Sequence, residues 1–359
     1  MRACFVVRRA AWCGATRAFA DAATLLAARG YETCFTARAG TEAALRLAAL
    51  GHDVIDVGGG GWLRLGWRLR RVVSRRLTEV LFVHDDAEHL AAAAAVRLAG
   101  RGAVVRRTPM GERLALGRDG RFAMRLAATG FVFAHADDLR GVTPPRGALA
   151  AGVAVPGVSA AALRPAPAAG AIAPADAPRL AIFAGADMRR EALVALRALA
   201  LLAPRLPALR ATFVSPAADA DVVRIEAAAL GVADRIEWRA IGAPGDDALE
   251  AAALRWVIAR ADDAAFAVLD ALTHGVPVVA ERTPVIGRFV EDGVSGVLRH
   301  RGEEPEWASL VATTLARADA LEALRRGARR AAAQWTPDAG AEGWVQVTEA
   351  ARDRARWSA

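Results

Sequence analysis

The sequence predicts an α/β protein built from two doubly wound, parallel-sheet domains, and three observations predict it. Short apolar runs alternate with segments of helical period from the first residues to about residue 107. A Pro- and Ala-rich stretch at 161–178 interrupts that alternation, and the same pattern restarts after it. The 359 residues, 54% hydrophobic and 24% charged, can bury a full core and are long for one domain.

In the first half, Ala3–Val7 reads as a buried strand, Arg8–Ala15 as a loop containing Gly14, and Thr16–Arg29 as a helix that Gly30 ends. Strand Tyr31–Thr36, helix Thr41–Leu50 and strand Asp53–Val57 follow. The Gly58–Gly61 loop then leads into a basic helix, strand Glu79–His84, helix Ala87–Ala99 and strand Ala103–Arg107. Strands that alternate with helices imply parallel pairing through helical crossovers.

The stretch 161–178, with Pro165, Pro167, Pro174 and Pro178, reads as a semi-rigid linker between a domain at 1–160 and one at 179–335. The second domain repeats the pattern: strand Arg179–Ala184, helix Glu191–Ala203, strand Arg210–Val214, helix Asp221–Leu230 and strand Ile236–Arg239. Helix Ala248–Ala253, strand Leu254–Ile258, helix Ala264–Thr273 and strand Pro277–Ala280 complete it. At 336–359, helix Pro337–Arg356 is expected to pack back on the first domain through Trp344 and Val347. Two such domains are expected to hold a ligand at the carboxyl ends of their strands, facing each other across a cleft.

Composition excludes several classes. The apolar stretches around Ala91–Val96 and Ala148–Val155 fall short of the roughly 18 residues a membrane span needs. Met1–Val7 is strand-like and Arg8 and Arg9 follow it, the wrong order for a secretory signal, so a cytoplasmic protein is expected. Cys4, Cys13 and Cys34 form no metal or redox motif and read as reduced thiols. All 47 basic residues are Arg, which excludes lysine Schiff-base chemistry and, with the Ala excess, suggests a GC-rich bacterial genome.

Charge is unevenly divided. Residues 1–160 hold 23 Arg against 13 acids, and residues 161–359 hold 24 Arg against 26 acids. A basic first half suits an anionic partner, whether a membrane surface or nucleic acid. The sharpest concentration is Trp62–Arg76, where Trp and Leu interleave with Arg so that one helical face is apolar. This segment is either an ordinary surface helix with solvated Arg or a peripheral contact with the inner face of a membrane. No nucleic-acid motif accompanies the charge, and no nucleic acid is expected as partner.

Several motifs occur in one order along nearly the whole chain: the Gly14-Ala-Thr-Arg17 turn into a helix, Leu25–Tyr31 (LLAARGY), the strand end Val83-His-Asp85, and Ala154–Val158 (AVPGV) as the strand before the linker. They continue with Ile182-Phe-Ala-Gly185, Leu230–Ile236 (LGVADRI) and the block Asp262–Leu298, whose run HGVPVVAERTPVIGRFVEDGVSGVL is the most specific. This order resembles the GT-B glycosyltransferases, in particular the retaining family 4. The resemblance implies two Rossmann-like domains and transfer of a sugar from a nucleotide donor, with no cofactor and no metal.

The family carries two Glu residues separated by seven, and here that spacing is kept as Asp262 and Asp270. By the resemblance, Asp262 holds hydroxyls of the donor sugar and Asp270 accepts from the ribose, a task that suits two-oxygen acceptors. Both acids are shorter than Glu by about one bond, roughly 1.5 Å. Apart from the resemblance, Asp262 is equally a first-turn acid that favours its helix. Arg189 and Arg190 open a helix beside Gly185, where the family places cations on the phosphates. The family's usual Arg slot is Ala186, and Glu191 offers the arginines an ordinary partner. Gly14 would let the first loop approach a phosphate closely. Thr283 and Pro284 fall where the family sets backbone amides against it, and Arg288 stands where the family has a sugar-binding Glu.

The first domain departs furthest. Where the family tends to have a catalytic-site His, the chain has Arg106-Arg107-Thr-Pro-Met110, and Met110 neither hydrogen-bonds a sugar nor moves a proton. Arg106 and Arg107 are either a grip on an anionic acceptor, such as a lipid-linked or polysaccharide one, or a strand-end salt bridge. His84, at the preceding strand end, is the remaining histidine candidate for catalysis. The expected function is hexosyl transfer to a cell-envelope or secondary-metabolite acceptor, with retention implied by the resemblance alone. The other readings are a catalytically silent relative that binds nucleotide sugar or a partner, and an epimerase of a free nucleotide sugar, against which the basic helix counts.

Overall fold

Short apolar strands, the central ones buried on both faces, and helices with one apolar face leave a parallel sheet flanked by helices as the arrangement that buries both. The chain forms two. The structure, a computed structural model, describes residues 1–140, 142–143, 148–157, 178–185, 187–216, 220–241, 249, 251–335 and 337–357. Most of the expected linker, Ala186 and the 242–248 segment lie outside the described residues. The first domain comprises Met1–Gly157 with Pro337–Ala359, and the second Val158–Thr336.

The first domain runs β1 (Arg2–Val6), α1 (Gly14–Ala27), β2 (Glu32–Ala37), α2 (Glu42–Ala49), β3 (Val54–Asp56), α3 (Trp62–Arg76), β4 (Val80–Val83), α4 (Asp86–Ala99) and β5 (Ala103–Thr108). It continues with α5 (Arg118–Leu126), β6 (Thr129–Phe133), α6 (Ala136–Leu139) and β7 (Ala148–Val153). The seven strands lie in the order β3-β2-β1-β4-β5-β6-β7, and the pairs are parallel. Phe5 and Phe82 stack across β1 and β4 at 4.6 Å, with Phe19 of α1 tilted onto Phe5 at 5.1 Å. Leu65, Leu69, Val72 and Val73 bury the inner face of α3. Gly66 lets it lie close on α4, because a Cβ there would stand 3.2 Å from the Ala91 carbonyl oxygen.

The second domain runs β8 (Arg179–Ala184), α7 (Arg189–Leu202), β9 (Arg210–Ser215), α8 (Ala220–Ala229), β10 (Ile236–Ala240), β11 (Leu254–Ile258) and α9 (Ala261–Thr273). β12 (Val278–Glu281), β13 (Gly296–Arg299), α10 (Glu304–Ala316) and α11 (Ala318–Ala332) complete it. Its six strands are ordered β10-β9-β8-β11-β12-β13, again parallel. Leu180, Ile182, Leu254, Trp256 and Ile258 project into one core with α7 residues and with Trp307 of α10, as the two-residue period of a strand requires. Both sheets are therefore Rossmann-like, each with its chain order reversing once: at β1/β4 in the first and at β8/β11 in the second.

The chain then returns to the first domain as α12 (Pro337–Trp357), which packs on β5, β6, β7 and α1. Gly340 and Gly343 make this possible: a Cβ on them would stand 2.1 Å from the Val155 oxygen and 1.8 Å from the Val153 oxygen. Trp344, on the same face, meets Phe82 edge-on at 5.5 Å.

Two expectations are corrected. No helix forms over the described part of 248–253: Leu249 and Ala251 are turn residues, and Ala253 donates to the Arg179 oxygen at 2.8 Å, already joined to the strand. The strand expected at Ala154–Val158 lies earlier, over Ala148–Val153. Ala154 adds one last bond to Phe133, and Pro156 has no N–H to continue the ladder.

Candidate functional site

In an open parallel sheet, a ligand crevice opens where neighbouring strands send their crossovers to opposite faces. In the second domain that point is the pair β8/β11. Gly185 follows β8, and a Cβ on it would meet the Ala259 Cβ at 3.1 Å and the Asp263 side chain at 3.3 Å, so the strand ends close up only with glycine there. Just beyond, Asp187 (φ 62) and Ala261 (φ 46) adopt the left-handed backbone conformation. Such residues cost about 1 kcal/mol each and gather at functional sites. Helices α7 and α9 start at these turns, behind Met188 and Arg260, and neither N-cap side chain caps its helix. Two helix N-termini thus offer N–H groups and the positive end of a dipole at one strand junction.

A cavity of about 1560 Å³ opens across these strand ends. Arg189, Arg190, Arg260, Glu191, Glu281 and Thr283 line its polar side, and Trp256 and Trp307, 5.2 Å apart and tilted, line its apolar side. Arg260 reaches Glu191 at 3.5 Å, while Arg189 and Arg190 stand exposed in the first turn of α7. Thr283 is held by its own turn: its hydroxyl accepts from the Ile286 N–H at 3.2 Å and its carbonyl from Gly287 at 2.9 Å.

The structure thus brings Arg189, Arg190 and Thr283 to one cavity. Asp262, Asp270, Pro284 and Arg288 do not line it. Asp262 is the second residue of α9 and only 3% exposed; Asp270 is half-buried two turns along the same helix, and Pro284 is exposed. Arg288 is half-buried in a short 3-10 turn, Ile286–Arg288. Sequence reasoning missed Glu281, Arg260 and the two tryptophans. The signal for Glu281 was an acid directly after an all-apolar strand, at its carboxyl end.

The reversal at β1/β4 in the first domain is held by Glu88. Its buried carboxylate accepts from the Arg8 N–H at 3.0 Å, the His84 N–H at 2.8 Å and the Asp85 N–H at 3.4 Å, fastening the ends of β1 and β4 together. Asp85 returns a capping bond from the Glu88 N–H at 2.7 Å. Burial, reinforced by the Asp85 charge, pushes the Glu88 carboxyl up to about 7. Gly14 is buried at the head of α1. The half-buried His84 stacks on Phe19 at 3.7 Å, and its Nε2–H donates to the Ala15 carbonyl at 2.8 Å. A carbonyl only accepts, so this bond fixes the proton on Nε2.

Arg106 and Arg107 are both buried. Arg106 pairs with Asp86 of α4, which also accepts from the Gly117 N–H at 2.7 Å, so one carboxylate ties α4, β5 and the entry to α5. Met110, beyond β5, is fully buried. The structure therefore gathers Gly14, His84 and Glu88 at the β1/β4 strand ends and sets Arg106 against α4.

No model of a known protein family and no curated protein sequence matches the chain. Solved structures do. The chain is similar to a glycosyltransferase from Rickettsia africae (TM-score 0.71, 11% identity, 97% of each chain covered). It is similar to HepE from Anabaena in complex with UDP and glucose (TM-score 0.70, 16% identity, 100% of this chain and 99% of that one). It is similar also to the pneumococcal O-GlcNAc transferase GtfA in complex with UDP and GlcNAc (TM-score 0.72, 11% identity, 97% and 98%). At such identities the likeness is one of fold, and the fold shared over nearly the whole chain is the pair of Rossmann-like domains of the GT-B glycosyltransferases.

Proposed function

We propose that the protein is a glycosyltransferase that takes a sugar from a nucleoside-diphosphate donor, with the second domain as the donor site. The observation that carries this is the β8/β11 junction, where the starts of α7 and α9 meet Arg189 and Arg190 on a large cavity. In glycosyl transfer the bond from the anomeric carbon to the diphosphate breaks, the electron pair goes to the leaving phosphate oxygen, and the acceptor oxygen bonds to carbon and loses its proton. Catalysis must neutralise that developing phosphate charge, and guanidinium groups beside a helix N-terminus supply the means. HepE, with the same fold, holds UDP-glucose, which supports a nucleotide sugar as ligand here.

In this reading Arg189 and Arg190 take the diphosphate, and Thr283 and Pro284 shape the loop against it. Asp262 and Asp270 hold donor hydroxyls, with Asp262 and His84 at the reacting sugar. Gly14 opens the first domain's loop, while Arg106, buried and paired with Asp86, fits the strand-end salt bridge rather than a grip on the acceptor, and Arg107 is buried beside it in β5. A hexose donor, a cell-envelope or secondary-metabolite acceptor and retention of configuration complete the proposal. A second reading, a silent relative that binds nucleotide sugar without transferring it, is favoured by one observation, the 3% exposure of Asp262.

Incubation with UDP-, GDP- and ADP-sugars, reading nucleoside diphosphate release beside calorimetric binding, separates the two. Release above background that falls in Asp262→Asn supports transfer; binding without release supports the silent relative. An Arg189→Ala/Arg190→Ala variant should weaken nucleotide binding by about tenfold or more, since hydrogen bonds to charged groups contribute about 1.5–3 kcal/mol. Unchanged affinity would sink the donor-site assignment.

A further inference from the structure

Helix α3 carries six arginines and no acidic residue among its 15 positions. Its inner face, Leu65, Gly66, Leu69, Val72 and Val73, is buried, and Trp62 packs against that core. The outward face is basic and apolar at once: Leu63 is 69% exposed and Trp67 50%, beside exposed Arg64, Arg70, Arg71 and Arg75. Among the described residues only Arg76 of this helix pairs with a carboxylate, Asp53 at 3.2 Å. Arg71 lies over the Trp67 ring at 3.6 Å, and Arg68 and Arg70 donate to backbone carbonyls. Like charges one turn apart, such as Arg64/Arg68 and Arg71/Arg75, repel along a helix that carries no acidic residue of its own.

Beside this face lies a cavity of about 440 Å³, lined by Arg68, Arg71, Arg75 and Arg76 with Ile55 and Val72. Asp56, also at its wall, is engaged by the Ala39 and Gly58 amides at 2.9 and 2.8 Å, which hold its carboxyl below the usual range. We infer that this face is a peripheral docking surface for an anionic phospholipid bilayer, with Leu63 and Trp67 in the headgroup layer and the cavity arginines on lipid phosphates. Charge complementarity selects an anionic partner. The large apolar side chains among the arginines select a bilayer over nucleic acid, since Trp at headgroup depth keeps its ring apolar and its N–H wet. Among the described residues no helix is long and apolar enough to cross a membrane, so the attachment is to the surface.

The inference stands apart from glycosyl transfer and is tested without it. The full chain is floated with vesicles of phosphatidylcholine alone and with about 30% phosphatidylglycerol at low salt. Flotation is expected only with the anionic vesicles, and Arg71→Gln/Arg75→Gln should reduce it about twenty-fivefold, at about fivefold per arginine near a membrane surface. Trp67→Ala should weaken it as well, and circular dichroism verifies that these exposed substitutions leave the fold intact. Absence of flotation with anionic vesicles overturns the inference. Undiminished flotation of the correctly folded variants does so too, as does binding of a duplex oligonucleotide while the vesicles remain unbound.

Discussion

Glu88 and His89 are neighbours in the chain and both are buried, yet their protons act on stability in opposite directions. Burial, with the Asp85 charge, raises the Glu88 carboxyl from its ordinary 4.5 to about 7. Between those values the folded chain keeps a proton that the unfolded chain has released, so stability falls as pH rises through that window. Burial, with Arg106 nearby, lowers the His89 imidazole from 6.5 to about 4. There the unfolded chain holds the extra proton, and stability falls as pH drops from about 6.5 to 4. Each window spans about 2.5 pH units, and at about 1.4 kcal/mol per unit each effect is on the order of 3 kcal/mol. In the native chain the slopes nearly cancel. Glu88→Gln should expose the histidine slope, a loss of about 3 kcal/mol on going from pH 6.5 to 4. His89→Gln should expose the opposite one between pH 4.5 and 7. The three proteins are unfolded in urea at closely spaced pH values, and the first-domain transition is compared as a difference between variant and native chain, which cancels groups common to both. Gln offers one acceptor oxygen for three amides, so a constant offset is expected and only the pH dependence is diagnostic. A Glu88→Gln difference that stays flat within about 0.5 kcal/mol over pH 4.5–7 would refute the reasoning.

Arg106→Met should destabilise the first domain by about 2 kcal/mol, discounted from the usual cost of breaking a buried pair because Asp86 is 27% exposed and keeps its Gly117 bond. The same change should raise the His89 pKa, because a neighbouring positive charge is gone; NMR titration of the imidazole reads it. Gly343→Val would set a Cβ 1.8 Å from the Val153 oxygen, where only backbone can yield. A loss on the order of 3 kcal/mol or more is expected in thermal unfolding, against almost none for Gln346→Val on the exposed side of α12.

The strands that were legible in the sequence are those buried on both faces, such as β4 with all four residues buried and β11 with all five. The segment after Arg107 was not. In α5 only Gly120 and Ala123 are buried, so its helical period hardly shows, and β7 is written largely in alanine and glycine. Alanine also misled in the other direction, at 248–253, since it fits a turn as well as a helix. At the site, Arg189, Arg190 and Thr283 could be found because each sits just past a strand end. Arg260 carried the same signal, two residues past β11, and was passed over; Trp256 and Trp307 could not be found, because their common cavity depends on which strand ends and helix starts become neighbours. For Glu88 the sequence signals only a capping box with Asp85 at the start of α4; its wider role was not legible, because the Arg8 amide it also binds is 80 residues away.

The return of α12 to the first domain also sets an order of events during synthesis. Residues 158–336 emerge from the ribosome between β7 and α12, and at roughly 5–20 residues per second they take roughly 10 to 40 s. Throughout that interval the Phe19 and Phe82 rings lack Trp344, and at its end the second domain has all its strands and helices in hand while the first still waits for α12. The half that is made first is therefore finished last, and the apolar seat of α12 is where a nascent chain would be open to chaperone capture or to association with its neighbours.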